Sequence, residues 1–125
     1  MNYKSERKFK LWAYAASHSI LVLRSLNNEE NYEDGFNIDV EFWGVMYLDI
    51  PSIMNGLTIS EINSEIPEKL LDIVAPPDAY VFKIESDKVY YIVAANWRAG
   101  SNNWIEENRI NSPELNYDKI LGSFR

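Results

Sequence analysis

Residues 36–50 read FNIDVEFWGVMYLDI, and the alternation within them decides the fold class. The even positions are Phe36, Ile38, Val40, Phe42, Gly44, Met46, Leu48 and Ile50, apolar apart from the glycine. The odd positions are Asn37, Asp39, Glu41, Trp43, Val45, Tyr47 and Asp49. Side chains on a strand point to alternate faces, so this is a β-strand with one apolar face. Drawn straight at ~3.3 Å per residue it would extend about 50 Å, too long for a small domain. It must bend, and Gly44 is the place, because a glycine within a strand marks a bend or a close approach. A one-residue bulge would shift the apolar phase. The phase survives Gly44, which predicts a smooth bend or two strand segments in one register.

Upstream, Phe9–Ala16 and Ser19–Ser25 are two further β-prone runs with a short link, a tight hairpin. Residues 1–8 hold Lys4, Arg7 and Lys8 and read as a solvated tail. Residues 26–35, LNNEENYEDG, read as a loop. Downstream, Pro51 ends the long strand and Asn55-Gly56 marks a turn. Leu57–Ser60 reads as a short strand. Pro67 followed by Glu68, Lys69, Leu70, Leu71 and Ile73 predicts a short central helix. Tyr80–Glu85 and Lys88–Trp97 form a second hairpin, with 98–103 as a loop. Ser112-Pro113-Glu114 predicts the start of a C-terminal helix ended by Gly122. One domain over residues 1–125 is expected, α+β and mainly antiparallel β. Its form would be a strongly bent sheet or open barrel, with a β-sandwich as the alternative.

The chain of 125 residues carries a formal net charge of −7 and no cysteine. That excess of negative charge argues against nucleic acid and against anionic membrane surfaces. It favours a basic protein partner. Thiol nucleophiles, disulfides and cysteine-ligated metals are excluded. The N-terminal residues lack the apolar core of a signal peptide, so a cytoplasmic protein is expected. Between Arg24 and Lys69 there are ten acids and no Lys or Arg. The long strand lies within that acidic third.

Several residues invite a chemical reading. Asp39 and Glu41 share a strand face with Cβ atoms about 7 Å apart. Paired carboxylates near that spacing serve glycosidases and metal sites, but alternation alone demands polar residues there. His18, the one histidine, sits between Ser17 and Ser19 in a predicted turn and reads as turn chemistry. Arg24 ends an apolar strand and would pair a carboxylate across the sheet, Asp39 or Glu41. Trp43 and Tyr47 are either covered by the C-terminal helix or form an aromatic patch beside acids, as interaction hot spots do. Trp97, Arg98, Asn102, Asn103 and Trp104 form a second aromatic and polar cluster, either a carbohydrate or peptide platform or, the plainer reading, a loop pinned by two buried tryptophans. No phosphate-binding, metalloprotease or hydrolase motif occurs, and no cofactor or metal is implied.

The first functional expectation is therefore a non-catalytic interaction module masking a basic partner, with Asp39, Glu41, Trp43, Tyr47, Trp97 and Trp104 as binding residues. The second is a small-molecule or saccharide binder with an aromatic-lined site. The third is a small hydrolase using Asp39 and Glu41, with His18 or Arg24 assisting. An open edge on the long strand would also admit a homodimer.

Overall fold

The computed structural model describes residues 2–30 and 32–125. Met1 of the expected tail and Asn31 of the expected loop lie outside the described residues. Nine strands form one antiparallel sheet: β1 (Tyr3–Ala15), β2 (Ile20–Ser25), β3 (Asn37–Trp43), β4 (Tyr47–Asp49), β5 (Ile53–Ile62), β6 (Tyr80–Glu85), β7 (Val89–Ala94), β8 (Asn96–Asn102) and β9 (Lys119–Ser123). Their order is β4-β7-β6-β5-β1-β2-β3-β8-β9. Among the described residues no helix is long and apolar enough to cross a membrane.

The order dictates the shape. In a flat sheet β3 and β4 would stand six spacings apart, about 28 Å. Yet the chain joins Trp43 to Tyr47 through three residues, a reach of about 14 Å. Only a sheet coiled round on itself satisfies both. Coiling also explains a core without a second layer. Phe9, Leu23, Phe42, Ile59, Ile84 and Trp97 come from six different strands and are all wholly buried in one cluster.

The long strand is present and bent at Gly44, but the bend is a bulge. Trp43 pairs with Asn96 and Tyr47 with Val93, so this strand takes four steps where its partner takes three. Gly44 has φ +63°, and a Cβ there would lie 2.9 Å from the Ala95 Cβ. Both the backbone angle and the contact require glycine. The slip turns Val45 into the core and leaves Met46 exposed, while Leu48 and Ile50 regain the inner face. A smooth single register is thus corrected to two registers joined at a bulge.

The α+β expectation is overturned. Among the described residues there is no central and no C-terminal helix, only a four-residue helical turn at Asn27–Glu30 and a three-residue 3-10 turn at Glu68–Leu70. A helix that short has little stability of its own. Packing decides instead: Leu70, Ile66, Ile73 and Val74 all reach one apolar patch on the outside of β6 and β7. At the C-terminus, Leu115 closes a turn on Ser112. The residues expected as helix pair with β8 as β9, and Gly122 stands opposite Ala99. With a single sheet, the sandwich alternative also falls. Tyr3–Lys8 is strand rather than tail, paired with β5, and 98–102 is strand β8 rather than loop. Both expected hairpins are present, Ala15 pairing with Ile20 and Glu85 with Val89.

Candidate functional site

Outside the coil, the face of β2, β3 and β8 carries charge. Register alone brings the groups together. Arg24 stands opposite Asp39, and Glu41 opposite Arg98. Arg24 and Asp39 are each 0% exposed and Glu41 is 1% exposed. The Arg24 guanidinium grips Asp39 side-on, Nε to Oδ1 at 2.6 Å and Nη2 to Oδ2 at 2.8 Å. Nη2 also donates to the Glu107 carbonyl at 2.7 Å. Glu41 accepts from Arg109 Nε at 2.9 Å and from Arg98 Nη2 at 3.4 Å. The planar fork of arginine suits such buried carboxylate pairing.

Residues 103–118 form the cover over this face. Arg109 donates to the Pro113 carbonyl at 2.8 Å and to the Leu115 carbonyl. Asn108 is buried and accepts from the backbone N–H groups of Ile110 and Asn111, which fixes the turn. Tyr117 lies against the backbone of Gly100, where a Cβ would come within 2.3 Å of its ring. Trp104 stacks on Tyr117 with centroids 5.3 Å apart. Arg24 lies over the rings of Trp12 and Trp104, at 4.9 and 5.9 Å.

Burial acts on the ionisable groups. It pushes the Asp39 carboxyl up, opposed by the hydrogen bonds and charge of Arg24. It pushes the Tyr117 phenol far above its ordinary value, and the neighbouring Glu41 charge adds to the rise. Arg24 Nη1, Arg98 Nε, Asn102 Nδ2 and the Tyr117 hydroxyl are buried without a protein partner.

The expected binding residues thus divide. Asp39 and Glu41 lie beneath the cover, and Trp104 is part of it, its ring 5.9 Å from the Arg24 guanidinium. Trp43 joins them at the rim, where Arg98 lies 5.3 Å from its ring. Trp97 is wholly buried in the core, and Tyr47 packs with the apolar cluster outside β6 and β7. The plainer expectation for Arg24, a carboxylate partner across the sheet, is what the structure contains. His18 is exposed in the β1–β2 turn. Sequence reasoning missed Arg98, Arg109 and Tyr117 as members of the cluster. Arg98, Gly100 and Asn102 share one parity, a signal legible only once 96–102 is read as strand. Arg109 and Tyr117 lie in irregular chain and give no such signal. Among the described residues no group of three or more acidic or histidine side chains is placed to hold a metal ion.

A second surface lies on the opposite cover, residues 62–79. A pocket of about 170 Å³ is floored by Ile62, Ile66, Val74, Pro76, Tyr80 and Val81, with Glu61 and Asn63 at its side. The segment around it carries Glu61, Glu65, Glu68, Asp72 and Asp78, all exposed. Lys69 is the one cation between Arg24 and Lys83, and its ammonium lies 3.6 Å from Asp49. Leu71 is 55% exposed beside these acids.

No family model, no curated protein and no solved structure matches this chain.

Proposed function

We propose that the protein is a non-catalytic interaction module that receives a basic partner on the 61–81 surface. The observation that carries this reading is an apolar pocket with Glu61 in its wall, built from a segment that carries four further exposed acids. An apolar floor gives a partner side chain somewhere to bury, and surrounding charge selects and steers a cationic approach. The acidic third of the sequence is thereby split in use. Asp39 and Glu41 are spent on internal arginines, while Glu61, Glu65 and Glu68 remain in water. This moves the expected docking face away from Asp39 and Trp43. The proposal sets the protein in the cytoplasm, where a chain without cysteine is unaffected by reducing conditions.

The hydrolase reading loses its support. A general acid or nucleophile needs access to substrate, and both carboxylates lie sealed beneath the cover and held by guanidinium groups.

The test is affinity capture with the wild-type chain and a Glu65→Lys/Glu68→Lys/Asp72→Lys variant, across a salt series. A basic protein held by the wild type, released by salt and lost on charge reversal is the expected result. Equal capture by both forms would refute the docking face. All three positions are exposed, so the substitutions remove no core packing, and a far-UV circular dichroism spectrum checks that the variant is folded.

A further inference from the structure

We infer that a separate cleft, between the β2–β3 connection and the start of the 103–118 cover, binds one neutral, hydroxyl-rich unit, a single sugar residue. The cleft measures about 190 Å³, and its walls include Asn27, Asn28, Asn37, Asn103, Trp104 and Ile105. Among the described residues none that lines it is charged, in a chain where 25% of residues are. A charged ligand would lose its hydration there with no opposite charge to replace it. A ligand of hydroxyl groups meets side-chain amides that both donate and accept.

The floor is fixed before any ligand arrives. Asn37 accepts from the Asn27 N–H at 2.9 Å, and its Nδ2 donates to the Trp104 carbonyl at 2.8 Å and to Asn102 Oδ1 at 3.3 Å. One buried amide therefore staples the two walls together. Asn28 and Asn103 are exposed at the cleft, and each side-chain amide offers a donor and an acceptor to a hydroxyl group. Trp104 is held by its stack on Tyr117, so its position in the wall is set by the cover. Ile105 is 78% exposed, the most exposed large apolar side chain among the described residues. Together these two offer an apolar wall to the C–H face of a sugar ring. The volume lies below the roughly 300 Å³ at which drug-sized sites begin, so the cleft takes one ring rather than a chain of them.

This site is independent of the acidic docking surface, and its test does not use that surface. The amide spectrum of the isotope-labelled protein is recorded during titration with glucose, galactose and N-acetylglucosamine, each as the free sugar, beside glucose 6-phosphate. At least one neutral sugar is expected to saturate in the millimolar range, with shifts centred on Asn27, Asn103, Trp104 and Ile105. Asn103→Ala, a change at an exposed position, should weaken that sugar about tenfold, the loss of one or two good hydrogen bonds. Glu65→Lys should leave it unchanged. The absence of saturable binding by all three sugars would overturn the inference. So would shifts centred elsewhere, an affinity indifferent to Asn103→Ala, or tighter binding of the phosphate ester.

Discussion

The outer face of the coiled sheet is sealed twice without a helix, by opposite chemistries. Residues 62–79 cover β6 and β7 by packing Leu70 and Ala79 against Val81 and Val93, a patch of ordinary apolar packing. Residues 103–118 cover β2, β3 and β8 through Arg24, Asp39, Glu41 and Arg109, a patch held by charge. The apolar cover contributes in proportion to area removed from water, so it degrades by increments. The charged cover is conditional. Its groups are tolerable in pairs and costly alone, because desolvation is offset only while each charge keeps its partner. A single strand serves both: its first half lies under the charged cover, and Tyr47, beyond the bulge at Gly44, lies under the apolar one.

The largest expected effect breaks the charged side. Asp39→Leu leaves the Arg24 guanidinium wholly buried, always protonated and without its carboxylate, which should cost about 3–5 kcal/mol in denaturant unfolding. A loss under 1 kcal/mol would mean that water reaches Arg24. On the apolar side, Leu70→Ala empties the centre of the smaller cluster and should cost about 3 kcal/mol by the same measurement. It should leave hydrogen-exchange protection across β2, β3 and β8 intact, whereas Asp39→Leu should lower it there first. Gly44→Ala strikes the junction. A left-handed φ and the Ala95 contact together should cost about 2 kcal/mol, with protection lost beneath both covers. Loss beneath one cover only would show that the two registers do not depend on the same bulge.

The smallest effect sharpens the comparison through pH. The Tyr117 hydroxyl has no protein partner, so Tyr117→Phe should change stability at pH 7 by less than about 0.5 kcal/mol. Its phenol is raised above the ordinary value of 10.0. The unfolded chain therefore releases this proton above pH 10 while the folded chain retains it. Stability falls as pH rises through that range. Thermal melts from pH 9 to 11 should show a shallower alkaline decline for Tyr117→Phe than for the wild type. Tyr3, also raised by burial, keeps part of the slope in both proteins.

Much of the sheet was legible in the sequence because strands announce themselves by parity. Residues 36–43 alternate cleanly, and the structure places Ile38, Val40 and Phe42 inside and Asp39 and Glu41 outside. The two hairpins were legible for the same reason. The covers were not, since irregular chain has no period. Leu70, Ile73 and Val74 mimic a helix face, yet they lie in a folded-back segment whose geometry is set by β6 and β7. Asp39 and Glu41 show the same limit at the site. Alternation put them on the outer face, and an outer face normally meets water. Nothing local to residues 36–50 reveals that Arg109, 68 residues after Glu41, returns to close over them. Trp97 was offered as a binding residue for a related reason, because the strand was ended there and the parity of 98–102, now part of β8, went unused.

The buried charges are a lock between sheet and cover, stabilising as a pair and destabilising singly. A double-mutant cycle on Arg24→Met and Asp39→Leu measures this directly. Each single change is expected to cost several kcal/mol, while the double mutant, with both charges replaced by apolar side chains, returns to within about 1–2 kcal/mol of the wild type. Additive losses, leaving the double mutant less stable than either single one, would contradict the lock.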